Sequence, residues 1–175
     1  MKNESYTPDW VIQAVKQVLG TIELDPTSNG LGLIAKHQIT IKEDCFNTTW
    51  AQYLTCSKTV FLNPPYSNGG LFVKELVKYC NRDSVHAAIS LTLPGLLHNK
   101  KSSYLFKTEY CSLIALPTGR INFDNNSTRN PRDSMFTLWT KDDAVKQRFI
   151  QVFENLESPT NNVSRVKGCL ILRNI

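Results

Sequence analysis

The chain has 175 residues, 41% of them hydrophobic, and a formal net charge of +5; that is enough apolar material for one buried core and leaves little for a second. No run approaches the roughly 18 apolar residues a membrane span requires, so a soluble, cytoplasmic protein is expected, a single domain over residues 1–175 with no separate recognition domain. Cys45, Cys56, Cys80, Cys111 and Cys169 are an odd set without a CxxC pair, and His37, His86 and His98 show no ligand spacing, which argues against a disulfide framework and predicts no metal.

In chain order, Thr7 and Pro8 look like the N-cap and first residue of a helix carrying Trp10, Val11, Ala14, Val15, Val18 and Leu19 at helical spacing. TIEL (21–24), QITIK (38–42) and TVFL (59–62) predict strands, and LFVKELVKYC (71–80) an amphipathic helix. VHAAISLTLP, CSLIALP and MFTLWT supply three more strands, with helical patterns near 99–108 and 142–155. Such alternation predicts an α/β fold with a mainly parallel sheet and helices on both faces. Ligands of open sheets of this kind bind beyond the carboxyl ends of the strands.

Two turns at such ends carry chemistry, LDPTSNG after the first strand and NPPYSN after TVFL. In the second, Pro64 drives Asn63 towards extended geometry and Pro65 constrains Pro64 in the same way. Neither proline donates an N–H, so the turn offers the Asn63 side chain, free carbonyls and the Tyr66 ring. These groups suit a planar ligand bearing an amino group. Charge is uneven as well. Residues 1–93 hold eight Lys/Arg against eight Asp/Glu, whereas residues 94–175 hold twelve against seven, a footprint compatible with a polyanion.

Asn63-Pro64-Pro65-Tyr66 resembles the signature of amino-group methyltransferases that use S-adenosylmethionine (AdoMet). With YTPDW, LDPTS, EDCFNTTW, LTLPGLL, TGRINF and DSMFTLW in order around it, the chain resembles the phage-type DNA N6-adenine methyltransferase family over about residues 6–140. The resemblance implies a Rossmann-like methyltransferase fold with an antiparallel strand late in the chain. It further implies AdoMet as cofactor, DNA as partner, and direct methyl transfer to the N6 amino group of a flipped-out adenine.

Residue by residue, it assigns Asn63, Pro64, Pro65 and Tyr66 to the target base as catalytic residues. It gives Asp25 and Pro26 to the cofactor turn, Asp44 and Phe46 to the adenosine end, and Thr7 and Pro8 to the methionine end. Cytosine-C5 methylation would need a cysteine after a proline, and none of the five follows one. Only about 18 residues separate Asp25 from Asp44, so the second strand with its ribose-binding acid is expected to be shortened or absent, with Glu23 or Glu43 as substitutes. In TGRINFDNNSTRNPRDS, Arg120, Arg129 and Arg132 are candidates for phosphates or guanine edges, and Asn125 and Asn126 for adenine. Two other readings stay open: a glutamine-N5 protein methyltransferase, which shares the NPPY turn, and a non-catalytic nucleic-acid-binding module of the same fold.

Overall fold

In a computed structural model, which describes residues 7–30, 32, 34–123, 132–159 and 165–173, the apolar runs become strands. These are β1 (Leu24–Ser28), β2 (His37–Thr40), β3 (Thr59–Leu62), β4 (Ala87–Thr92), β5 (Cys111–Pro117), β6 (Met135–Thr140) and β7 (Cys169–Arg173). They form one sheet in the order β2-β1-β3-β4-β6-β5-β7. The pairs β1·β2, β1·β3 and β3·β4 are parallel, while β4·β6, β5·β6 and β5·β7 are antiparallel. The sheet is therefore mixed, with three parallel and three antiparallel pairs, and the late antiparallel strand, β6, is joined by a second, β7.

Alternation of side chains across the pleat divides the core in two. Phe61, Ile89, Leu91, Phe136 and Leu138 face one side with buried residues of α1 (Asp9–Leu19) and α4 (Asp143–Glu154). Val60, Leu62, Ala88, Met135 and Trp139 face the other with those of α2 (Gly69–Cys80). On the first side, Phe149 stacks on Phe153 at 4.3 Å between centroids, and the Arg148 Nε donates to the Val18 carbonyl, tying α4 to α1. α4 starts where the Asp142 side chain accepts from the N–H groups of Ala144 and Val145, the expected device for orphan donors in a first turn. Among the described residues no helix is long and apolar enough to cross a membrane. Burial is the main cause that pushes the thiols of Cys45, Cys80, Cys111 and Cys169 up to about 12.

Local structure departs from the sequence expectations in four places. Pro8, not Thr7, precedes the first helical residue of α1, and no side chain caps that end. The first strand begins at Leu24 and runs through Ser28, so DPTS is strand rather than turn. The helical pattern near 99–108 resolves into α3 (Gly95–His98) and a 3-10 turn at Ser103–Lys107, since Asn99 is extended and Ser102 is not helical. β7 has no counterpart among the expected strands. Its approach depends on Gly168, whose φ of +80° strains any L side chain and whose added Cβ would stand 2.5 Å from the Glu154 carbonyl oxygen.

At the amino end of β1 the sheet is fastened by a carboxylate. Glu23 is 1% exposed and accepts from the backbone N–H groups of Thr55 (3.2 Å), Cys56 (2.9 Å) and Lys58 (2.6 Å). Burial raises its pKa, but those three donors and nearby Lys36 outweigh burial and leave it below the ordinary glutamate value. A group depressed in this way stabilises the fold above the ordinary glutamate range and loses that contribution as pH falls through the lowered value. Glu23→Ala, which strands three N–H groups, is expected to remove about 3 kcal/mol and lower Tm by roughly 6–12 °C. Its Tm deficit against wild type, followed by calorimetry from neutral to acid pH, should shrink as the wild-type carboxylate protonates; a constant deficit would contradict this account.

Candidate active site at the strand switch point

From β1 the chain goes to β2 on one side and then crosses back to β3 on the other. That reversal opens a crevice beyond the carboxyl ends of β1 and β3, where doubly wound sheets bind their ligands. Parallel pairing of Leu24 with Val60 sets the two signature segments side by side. A continuous chain of hydrogen bonds joins them. The backbone N–H and Oγ1 of Thr27 donate to Asp25 Oδ1 at 2.9 and 3.0 Å. The Asn63 N–H donates to Thr27 Oγ1 at 3.1 Å, and Asn63 Nδ2 donates to Thr7 Oγ1 at 2.8 Å. Asn63 Oδ1 is left as the acceptor of that side chain.

Thr7, Asp25 and Asn63, which are far apart in sequence, thus converge. Thr27, which bridges two of them, is not among the residues the sequence singles out. Its signal is local: a hydroxyl two residues after an aspartate favours an Asx-type turn bond. Pro26 is buried between them in β1, where the register with β2 shifts between Asp25 and Ser28, so its missing N–H interrupts an already irregular ladder. Asp25 is 5% exposed. Burial raises its pKa to about 6, against the lowering effect of both Thr27 bonds.

Asp44 and Phe46 form a second group beyond β2. Asp44 has φ +53°, its Oδ1 accepts from the Phe46 N–H at 3.0 Å and its Oδ2 from Asn47 Nδ2 at 2.7 Å. Phe46 is 44% exposed and leans on Phe72, 4.7 Å between ring centroids. The segment is pinned by Trp50, whose indole N–H donates to the Cys45 carbonyl at 2.9 Å and whose ring stacks 4.8 Å from that of Tyr79. The second strand is present, though only four residues long, and Glu43 and Asp44 follow its end. Glu43 Oε2 accepts from the N–H and hydroxyl of Thr40. Glu23 is corrected as a ribose acid: it lies immediately before β1, and its carboxylate is occupied by the Thr55–Lys58 backbone.

In the NPPY turn, Pro64 is buried, Pro65 exposed and Tyr66 half-buried. A 3-10 turn at Tyr66–Asn68 leads directly into α2. A small cleft opens beside it, lined by Pro64, Tyr66, Gly69, Thr92, Leu93 and Leu96. The Tyr66 ring meets Phe123 edge-on at 6.1 Å, and the Arg132 guanidinium stands 5.7 Å from its centroid. Arg120 instead pairs with Asp133 at 3.2 Å on the surface. Arg129, Asn125 and Asn126 lie outside the described residues. No hydrogen bond among the described residues joins the Asp44 group to the Asn63 chain.

A family model described as DNA N-6-adenine-methyltransferase (Dam) matches residues 2–167. No curated protein matches the chain.

Asp25 gives a test independent of any ligand. Because its folded pKa of about 6 lies above the ordinary value of 3.8, its contribution to stability is greatest below the ordinary value and is lost as pH rises through 6. Asn retains an acceptor for both Thr27 bonds without the charge. Asp25→Asn should therefore raise stability by about 1–3 kcal/mol at neutral pH and by little below about pH 4. Urea melts across that range check it, and a gain independent of pH would contradict the buried-charge account.

Proposed function

The chain belongs to the DNA N-6-adenine-methyltransferase (Dam) family, and we propose that it transfers the methyl group of AdoMet to N6 of an adenine flipped out of DNA. Family membership supports DNA adenine methylation in general. The finer reading is carried by one observation, the hydrogen-bond chain Asp25–Thr27–Asn63–Thr7 across the switch point.

The residues present fit the cofactor. Asp25 is a buried carboxylate that gains by meeting an ammonium group, and it lies beside Pro26 and near Thr7-Pro8, at the methionine end. Asp44 keeps carboxylate lone pairs for ribose hydroxyls, and the exposed face of Phe46 suits an adenine ring. The cofactor, when bound, supplies a methyl group already activated by its sulfonium.

The chain's own residues act on the acceptor. An adenine amino group is weakly nucleophilic because its lone pair is delocalised into the ring. Asn63 Oδ1 and the Pro64 carbonyl accept its two hydrogens, which favours the pyramidal form with a localised lone pair. The bond from Asn63 Nδ2 to Thr7 fixes which amide atom faces the base, and the bond from Asn63 N–H to Thr27 fixes its distance from the Asp25 segment of β1, so acceptor and donor are held in line. Tyr66, braced by Phe123, stacks on the extruded base and Pro65 closes the turn. Arg132 beside Tyr66, with Arg120 and Arg129, supplies cationic groups for the phosphates.

The decisive experiment uses methyl-labelled AdoMet with DNA, followed by digestion to nucleosides: label is expected in N6-methyldeoxyadenosine. Label appearing instead in a glutamine-bearing release-factor peptide would replace this reading. Asn63→Ala should lower single-turnover transfer about a hundred-fold or more, as expected when a pre-organised acceptor at the reacting atom is removed. Asn63→Asp, which keeps an acceptor and can take a hydrogen bond from the Thr7 hydroxyl, should retain more activity; equal rates for both variants and wild type would remove Asn63 from the chemistry. Replacing Arg120 and Arg132 together should flatten the log–log salt dependence of DNA binding by about one unit for each phosphate that they neutralise. An unchanged slope in titrations at several salt concentrations would move the DNA face elsewhere.

A further inference from the structure

Thr92 ends β4 on the wall of the cleft beside the NPPY turn and is 1% exposed. Its hydroxyl is shielded from water and has no hydrogen-bond partner among the described residues. A buried hydroxyl left without a partner destabilises the fold, and such groups are uncommon in native structures. Valine has the same shape without that penalty. The neighbouring polar residue on this side of β4, Ser90, is provided for: its Oγ accepts the Trp139 indole N–H at 2.9 Å. Thr92 is the hydroxyl at the open, ligand-facing end of the strand. The other walls of the cleft are Pro64, the Tyr66 ring, Gly69, Leu93 and Leu96, apolar surfaces for a ring face, with Thr92 as the polar group opposite.

We propose that Thr92 is a base-contacting residue whose hydroxyl donates a hydrogen bond to a ring nitrogen, N1 or N7, flanking the amino group of the target adenine. The proposal rests on the methyl-transfer reading above and deepens it. With Asn63 Oδ1 and the Pro64 carbonyl taking the two amino hydrogens, a donor at the adjoining ring nitrogen supplies the third contact that fixes a planar base in its own plane. It also gives the site a means of selecting its base. Adenine offers an acceptor on each side of its amino group, whereas cytosine offers one on a single side and guanine carries a carbonyl at the equivalent carbon. The hydroxyl has no bond within the described residues to give up when the base arrives. Its bond forms only in the loaded site, so a defect there falls on use of the correct base.

The test compares wild type, Thr92→Val and Thr92→Ser on oligonucleotides that the wild type methylates, carrying adenine, 7-deazaadenine or 1-deazaadenine at the target position. Thr92→Val should melt at the wild-type temperature or above, yet fall about ten-fold or more in kcat/KM on adenine, and Thr92→Ser should recover most of that deficit. On the analogue lacking the contacted nitrogen, wild type should fall to the level of Thr92→Val and the two should become equal. Equality on either analogue supports the hydrogen bond and identifies the nitrogen. A Thr92→Val defect of the same size on adenine and on both analogues overturns it, as does full activity of Thr92→Val on adenine. A lowered melting temperature with normal kcat/KM would make Thr92 a structural residue and likewise overturn it. Wild-type protein that labels no DNA adenine removes the methyl-transfer reading and this inference with it, an outcome distinct from an active wild type that is indifferent to position 92.

Discussion

One hydroxyl joins the two halves of the site. Thr27 Oγ1 donates to Asp25 and accepts from the backbone N–H of Asn63, so both its hydrogen and a lone pair are committed. β1 and β3 are paired in the ladder at Leu24 and Val60. Beyond that pair the link between them is the bond from the Asn63 N–H to Thr27 Oγ1, so the spacing of the segments depends on Thr27. A side chain without a hydroxyl would leave the Asn63 N–H and Asp25 short of a partner and uncouple the segment assigned to the cofactor from the one assigned to the base. The in-line transfer proposed above would depend on that separation, since a small error in placement at the reacting atoms has a large effect on rate.

β1 and its approach carry two buried carboxylates of opposite character, two residues apart. Glu23 faces a converging set of backbone donors and is held below the ordinary glutamate value, so its charge stabilises the sheet's amino end. Asp25 takes its hydrogen bonds from Thr27 and is raised to about 6 by burial, so its charge destabilises the fold until a cation approaches. Backbone N–H groups locked in the Thr55–Lys58 turn are permanent partners and mark a structural residue. A buried carboxylate with one local partner is the pattern expected where binding energy completes what folding left open.

Much of this is legible in the sequence because the signals are strong and local. TVFL, CSLIALP and MFTLWT become strands at the expected residues, since runs of β-branched, large apolar and aromatic residues bounded by turn-formers have few alternatives. The Asn-Pro-Pro-Tyr turn is legible through what prolines forbid. The first strand lies further along the chain than expected because Asp25-Pro26 reads as a turn by propensity, while an irregular ladder and two neighbouring strands hold it extended. Thr7 has the local pattern of a helix cap, yet its hydroxyl is committed to Asn63, 56 residues away, a contact no local pattern encodes. β7 and the antiparallel half of the sheet depend on which edges remain open once β4 has paired. Thr92 passes for an ordinary strand residue because being without a partner is visible only in three dimensions.

The size of the cleft limits how such a site can select DNA. The cleft is small and walled by Tyr66 on one side and by Thr92 and Leu96 around it, so the neighbours of a base held there would be sensed outside it. Arg132, among the described residues, is held over the face of the same tyrosine that lines the cleft. A guanidinium in that position polarises the ring it covers and meets phosphate without leaving it, since its donors lie in the plane of the fork while its face rests on the aromatic. Backbone contact and base capture would then be mechanically linked through Tyr66: an arginine drawn towards phosphate shifts the support of the ring that must stack on the extruded base. Selection of the flanking sequence need not act through the cleft at all, because a change at Arg132 would be felt at Tyr66, one side chain away.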